Sequence, residues 1–431
     1  MKKQLEIHKT EAEAEKAILV GVKLPSIYRW QAEEYLQELA MLADTAGVSV
    51  CDRFIQERDQ IESKTYIGKG KVEEIRKAVN HYKADLVIFD DDLTPGQLRN
   101  LENLFEKRII DRSTLILDIF AKHAQSREAK TQVELAQLQY TLPRLTRMWT
   151  HLSRQAGGGV GLRGPGETQL ETDKRLIQTR IAHLNKELEK IERQRQTRKK
   201  GRNSMFRAAL IGYTNVGKSS LMNRLSHSDV LVENKLFATL DSTVRQVFLN
   251  KDHQILLSDT VGFIRKLPHH LVASFKSTLD ESIDADLLLH VVDLSHPNYQ
   301  EHIETVNSVL KDLAIDHKPV CIIFNKVDLI ESNQVLREAK EKYPNALFVS
   351  ALRKLKIDQI KNEILNFIEA MYTEHTFELK LSEGTVLNSL YRLANVTHEE
   401  YEDNLIRVNC RISNDNYQKI LKIREQIAYQ V

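Results

Sequence analysis

The sequence predicts an α/β chain in four parts: a small α/β domain over residues 1–112, a long helical hairpin over 113–202, a larger α/β domain over 203–372 and a small α+β domain over 373–431. Three observations predict it. Residues 16–112 alternate apolar runs with helix-compatible segments. Residues 113–202 turn long, charged and helical, with apolar residues stepping by three and four. Beyond them, the run Ala208-Ala209-Leu210-Ile211 leads into Gly212-x4-Gly217-Lys218-Ser219 and a following helix.

Bulk composition bounds the rest. A chain of 431 residues exceeds one ordinary core. The 62 basic and 60 acidic residues leave +2, which by itself calls for no nucleic-acid partner. Cys51, Cys321 and Cys410 are far apart and lack metal-ligand spacing, which fits a reducing compartment. No apolar run approaches the ~20 residues of a membrane span. Met1-Lys2-Lys3-Gln4-Leu5-Glu6 opens without an apolar secretion core. A soluble, cytoplasmic, monomeric protein without integral membrane contact is expected.

In the first part, residues 17–22 read as a strand, 31–43 as a helix, 47–55 as extended, 71–82 as a helix, 85–90 as a buried strand, 94–106 as a helix and 108–111 as a short strand. Ile67-Gly68-Lys69-Gly70-Lys71 fits a tight turn opening a helix better than a second nucleotide site, because it lacks the Gly-x4-Gly-Lys spacing. Asp90-Asp91-Asp92 offers metal ligands, but a solvated loop after a strand explains it more simply.

In the second part, Leu135, Leu138, Leu142 and Leu145 form one seam, and Pro143 is expected to end or kink that helix. Leu170, Ile177, Ile181, Leu184, Leu188 and Ile191 form another, along one continuous helix over 167–198. Matching seams suggest an antiparallel hairpin. Its tip, residues 148–166, holds six glycines and one proline, a composition that builds no core. No acid occurs from Leu135 through Gly166. Residues 127–200 carry 16 basic and 8 acidic side chains, a local +8 that leaves −6 for the rest of the chain. A cationic tip with Arg147, Trp149, Arg154 and Arg163 on a stiff arm suits structured RNA, where guanidinium groups meet phosphates and planar groups stack. A solvated linker is the plainer alternative. The basic run Arg193 to Arg202 either touches phosphate or complements a helix dipole.

The third part carries the chemistry. Glycines let successive N–H groups of Gly212, Tyr213, Thr214, Asn215, Val216 and Gly217 face phosphate oxygens at a helix N-terminus. Lys218 reaches the β- and γ-phosphates, and the Ser219 hydroxyl is placed for Mg²⁺. Phe237-Ala238-Thr239-Leu240-Asp241 lies in a polar loop, with Thr239 placed for Mg²⁺ and the γ-phosphate. Asp259-Thr260-Val261-Gly262 ends an apolar strand: Asp259 holds the metal and the Gly262 N–H senses the γ-phosphate. Asn325-Lys326-Val327-Asp328 follows the strand 320–324. The Asp328 carboxylate accepts from guanine N1–H and the 2-amino group, neither of which adenine offers. Ser350-Ala351-Leu352 ends a last strand, with the Ala351 N–H a donor for guanine O6. Five segments in this order describe a P-loop GTPase domain with GTP and Mg²⁺ as its ligands. Lys218, Thr239 and Gly262 are the candidate catalytic groups. Ras-like switches place a water-orienting glutamine after Asp-x-x-Gly. Here it is Phe263, which predicts slow intrinsic turnover and help from another residue or a partner.

The fourth part reads as strand 377–381, helix 384–395, strand 405–412 and helix 416–426. Protein contact and RNA contact suit it equally.

The tip 157–171, Gly212 to Ser219, Phe237 to Asp241 and Asp259 to Phe263 together resemble the HflX family of bacterial GTPases, and Tyr66 to Lys71 looks like that family's N-terminal domain. The resemblance covers nearly the whole chain. It implies binding to the large ribosomal subunit and its rRNA rather than DNA, with the tip near the peptidyl-transferase centre. It also implies splitting or rescue of stalled ribosomes under stress, and a link to antibiotic resistance. A hydrophobic residue after Asp-x-x-Gly is itself a family trait, which Phe263 keeps, whereas Ser242 stands where the family usually has proline. The competing reading is a GTP-gated adaptor whose hairpin grips a protein partner without RNA.

Overall fold

The structure is a computed structural model that describes residues 14–148, 165–199, 205–226, 236–237, 241–251, 253–266, 281–330, 332–381, 383–402 and 404–428. Trp149, Arg154, Arg163, Ala238, Thr239 and Leu240 lie outside the described residues, as does the side chain of Arg147. Two compact units emerge. One holds the residues up to Gln246 together with Leu256–Arg353; the other holds Val247–Ile255 and the residues from Lys354 onward.

The first unit opens with β1 (Lys16–Lys23), α1 (Arg29–Thr45), β2 (Ser49–Glu57), α2 (Lys69–Tyr82), β3 (Leu86–Phe89), α3 (Pro95–Phe105), β4 (Arg108–Asp111) and α4 (Arg112–His123). The four strands are parallel in the order β2-β1-β3-β4. Ala17 to Val20 and Leu86 to Phe89 are buried on both faces, as a parallel sheet under two helix layers requires. One face packs Ile18, Val20, Val87 and Phe89 against Ile75 and Val79 of α2 and Leu101 of α3. α1 and α4 pack together. Local chemistry sets the boundaries: Thr94 and Gln97 form a capping box on α3, and Asp111 caps α4 by accepting from Thr114 N at 3.0 Å.

The hairpin is α5 (Arg127–Met148) and α6 (Pro165–Lys199), which pack against one another. Arg127 Nε donates to Glu187 at 2.8 Å, and Arg180 reaches both oxygens of Glu134 at 2.6 and 2.8 Å. As residue number rises on one helix it falls on the other, so the pair is antiparallel. Leu184 of the predicted seam is buried, while Leu176 beside it is 62 % exposed. Pro143, expected to end or kink the helix, does not end it: α5 runs on to Met148. Packing of α5 against α3, α4 and α6 outweighs the local cost of the proline, and the Arg144 guanidinium donates to Tyr140 O at 3.0 Å in the affected turn.

The nucleotide-domain sheet has the order β10-β9-β8-β5-β7-β6. Its strands are β5 (Arg207–Gly212), β6 (Thr243–Phe248), β7 (Gln254–Asp259), β8 (Leu287–Asp293), β9 (Val320–Asn325) and β10 (Leu347–Phe348), with helices α7 (Lys218–Ser226), α8 (Tyr299–Asp312) and α9 (Asn333–Lys342). β7, β5, β8, β9 and β10 are parallel. The phosphate loop, the Asp259 end, the Asn325 end and the 349–352 turn therefore all leave the sheet at its C-terminal edge, where open α/β sheets bind ligands.

The second unit contains α10 (Ile357–Ala370), β11 (Tyr372–Lys380), α11 (Gly384–Leu393), β12 (Asn395–Glu402), β13 (Leu405–Ser413) and α12 (Asn414–Ala428). Its antiparallel sheet runs β11-β13-β12. Phe377, Leu379, Ile406, Val408, Cys410 and Ile412 pack on Val386, Leu390 and Ile420. Among the described residues no helix is long and apolar enough to cross a membrane.

Candidate nucleotide site

β5 delivers Gly212 at φ +147°, where an added Cβ would lie 2.2 Å from Val291 O; only glycine fits. Gly217 (φ +94°) meets a second wall, the Asn325 amide at 2.4 Å. Between them the loop bends through Asn215 at φ 59°. Lys218 is buried at the start of α7, and its ammonium donates to Tyr213 O at 2.8 Å and Gly212 O at 3.1 Å. Burial, opposed by the Asp259 carboxylate, pushes that ammonium down to about 8. Ser219 Oγ donates to Asp259 Oδ2 at 2.6 Å. These two hard oxygens, brought together at the loop, fit a Mg²⁺ ion, and the backbone cradle fits phosphates.

Gly262 is pressed against the same loop: a Cβ there would stand 2.8 Å from Thr214 Cα and 2.9 Å from Lys218 Nζ. Thr260 Oγ1 donates to Leu210 O at 2.7 Å, Thr214 N to Phe263 O at 2.8 Å, and Phe263 N to Gly212 O at 3.0 Å. The segment after β7 is thus stitched to the phosphate loop. Phe263 points into the core with Ala209, Ile211, Leu288 and Val306 and is 1 % exposed. Its ring therefore offers the nucleotide site no polar side-chain atom.

At the base side, Asn325 is buried and acts as a bracket. Its Nδ2 donates to Val216 O at 2.8 Å, and its Oδ1 accepts from Ala351 N at 3.0 Å. The Ala351 amide, expected to face guanine O6, is here directed at Asn325. Lys326, at φ 60°, pairs with Asp293 at 2.7 Å. Val327 N donates to Val349 O at 3.3 Å, Ser350 Oγ accepts from Arg353 N at 3.0 Å, and Leu352 is 70 % exposed. Asp328 Oδ1 is buried with no hydrogen-bond partner among the described residues. An orphan carboxylate oxygen is costly, so this position fits a ligand that brings N–H donors, as guanine would.

Sequence reasoning missed how both loops are held. Asp90, expected in a solvated or metal-binding loop, is 3 % exposed and pairs with three cations: Arg112 at 2.7 Å, Arg265 at 2.9 Å and Lys266 at 3.1 Å. Burial works against its charge, but Arg112, then Arg265 and Lys266, hold its carboxyl below the ordinary range. Asp91 takes Lys266 and the Tyr66 hydroxyl. The Tyr213 hydroxyl donates to Glu38 and accepts from Arg265 N at 2.9 Å, while the Arg265 guanidinium lies 3.5 Å over the Tyr35 ring. The carboxylate of Asp241, expected beside the nucleotide, accepts from the N–H groups of Gln125 and Ser126 at 3.0 and 3.1 Å, just ahead of α5. Phe237 packs edge-on to Phe120 of α4 at 4.7 Å. Apart from Arg112 on Asp90, Tyr66 on Asp91 and Arg265 on Tyr213, the partners lie more than a hundred residues apart in sequence, and no local pattern points to them. Arg144, one of the 16 basic residues of 127–200, is turned inward onto Asp111 at 3.4 Å and the Tyr140 ring.

Comparison with known proteins adds independent findings. Family profiles described as "GTP-binding GTPase N-terminal", "GTP-binding GTPase Middle Region" and "50S ribosome-binding GTPase" match residues 33–121, 123–202 and 207–326. A "GTPase HflX" of Flavobacterium psychrophilum is 46% identical over 379 residues, 83% of this chain and 91% of that protein. The "GTPase HflX" of Escherichia coli is 42% identical over 396 residues, 90% and 92% respectively. Among solved structures, an SsGBP–GDP complex is 27% identical, covering 82% of this chain and 98% of that one, with a TM-score of 0.46.

Proposed function

The chain belongs to the HflX family of GTPases, and from that premise we propose that it is a GTP-gated factor that docks on the large ribosomal subunit through the tip of its helical arm. It then splits or rescues stalled ribosomes and leaves after hydrolysis. One observation carries the reading: the segments on either side of the phosphate loop are both held by the part of the chain that bears the arm. Asp241 sits at the start of α5, and Arg265 and Lys266 sit on Asp90. A γ-phosphate that reorders those segments must therefore work against contacts to the arm's base.

In the bound state Lys218 releases the Gly212 and Tyr213 carbonyls for phosphate oxygens, which restore the ammonium's charge partner. Gly262 offers its N–H to the γ-phosphate. Asp328 selects guanine, and Asn325 keeps the base loop and phosphate loop in register, passing the Ala351 amide to guanine O6. Ser219, Asp259 and Thr239 hold Mg²⁺, which when bound neutralises developing phosphate charge. Phe263 supplies no group to orient water, so intrinsic turnover is slow and the ribosome stimulates it; such assistance is worth ~10³–10⁵ in rate. A monomer working in the cytoplasm on stress, and in antibiotic resistance, fits this role.

The test replaces tip charges. Arg154→Glu with Arg163→Glu should abolish co-sedimentation with large subunits while GTP affinity stays unchanged. Undiminished co-sedimentation would refute the docking mode and leave the hairpin to a protein partner.

A further inference from the structure

Beside the phosphate loop, on the side of Tyr213, Thr214 and Asn215, lies a cavity of about 250 Å³ between α1 and the segment leading through α8. Glu34 of α1, His296 before α8 and His302 within α8 meet on its wall, with one ligand atom from each lying within 4.8 Å of the others. We propose that Glu34, His296 and His302 form a site for a divalent transition-metal ion of the zinc class.

The details suit a metal better than a plain polar cluster. His302 Nδ1 is buried with no hydrogen-bond partner among the described residues, and its ring is fixed by stacking on Tyr213 at 3.8 Å and 8°. His296 Nε2 lies 3.2 Å from Glu34 Oε1, and the other Glu34 oxygen accepts from the Asn298 side chain, which orients the carboxylate as an outer-shell partner does. The His296 and His302 rings meet with centroids 4.3 Å apart, which brings two imidazoles to one point on the cavity wall. Negative charge is in surplus, because Glu38, Glu301 and Glu304 line the same cavity as Glu34. A dication relieves that crowding. Two imidazoles and one carboxylate select zinc, cobalt or nickel over magnesium, with a fourth position left to water. Zinc–ligand bonds of about 2.0–2.2 Å require the three side chains to close by roughly an ångström. Ligation at His296 Nε2 moves the ring proton to Nδ1 and gives up the 3.2 Å hydrogen bond that Nδ1 accepts from the Asn298 backbone N–H. The ion clamps α1 to α8 with Tyr213 of the phosphate loop stacked beside it.

The test uses chelator-stripped, nucleotide-free, full-length protein titrated with Co²⁺, read by visible d–d absorption and by zinc competition. One equivalent should bind tightly to the wild type and to Ser219→Ala, which lacks the Mg²⁺ hydroxyl. His302→Gln, which keeps a planar polar side chain, and Glu34→Gln should each lose it. Zinc should raise the melting temperature of the wild type and of Ser219→Ala, and of neither His302→Gln nor Glu34→Gln. Equal cobalt binding by His302→Gln, or no absorption band in the wild type under excess cobalt, overturns the site. Because nucleotide is absent throughout, the outcome is independent of the ribosomal role.

Discussion

Gly262→Ala tests the proposed γ-phosphate sensor by space alone. The new Cβ would stand 2.8 Å from Thr214 Cα and 2.9 Å from Lys218 Nζ. The ammonium ends a flexible chain and can yield, whereas Thr214 is backbone, held by its 2.8 Å bond to Phe263 O. Carbon pairs settle at about 3.5 Å or beyond, so the segment must retreat from the phosphate loop by about 0.7 Å. A donor displaced that far no longer meets the γ-phosphate, and loss of one preorganised donor costs ~10²–10³ in kcat, or ~2.7–4 kcal/mol. GDP lacks the γ-phosphate, so its affinity should hold. Fluorescent-nucleotide titration and single-turnover hydrolysis with ribosomes separate the two effects. Undiminished hydrolysis by a folded Gly262→Ala protein, or an equal loss of GDP binding, would refute the reasoning.

Three further outcomes follow from the same geometry. Asp241→Ala should weaken the start of α5 by about 0.5–2 kcal/mol, seen as faster hydrogen exchange at the Gln125 and Ser126 amides; unchanged exchange there would dissociate Asp241 from the arm. Phe263→Gln should lower stability by about 3 kcal/mol, because it replaces a buried ring with an amide that finds no partner, and should not raise intrinsic turnover; a gain in turnover would show that the position reaches the water. Burial, aided by Lys218, pushes His290 down to about 4. Its folded-state value lies below the unfolded one, so its contribution is present above pH 6.5 and is lost as pH falls toward 4, by about 1.4 kcal/mol per pH unit. His290→Gln should flatten the acid limb of the melting-temperature profile by that amount; an unchanged slope would mean the ring is not what titrates.

The parts of the fold that sequence made legible are those whose cause is local. Gly212 and Gly217 sit at fixed spacing because a tight turn needs their positive φ. The Ile177, Ile181, Leu184 stripe needs only helical periodicity and a facing helix. β12 escaped notice because Asn395 to Glu402 is acidic and mostly exposed, and only pairing with β13 makes it a strand. α5 passed Pro143 because neighbouring helices hold it. Site residues show the same divide. The motif positions converge at the sheet's C-terminal edge, but their partners were illegible: Asn325 spends both polar atoms on the chain itself, and Asp90 gathers a neighbour 22 residues away with two others about 175 away. Long-range ion pairs leave no periodic signal in a sequence.

Sedimentation of the full-length protein with purified large ribosomal subunits, in GDP and in a non-hydrolysable GTP analogue, tests the account where it is most exposed. Co-migration in the analogue that weakens in GDP and falls steeply with salt is the expected result, since phosphate contacts release counterions. Equal migration in both nucleotides, or none in either, would contradict it.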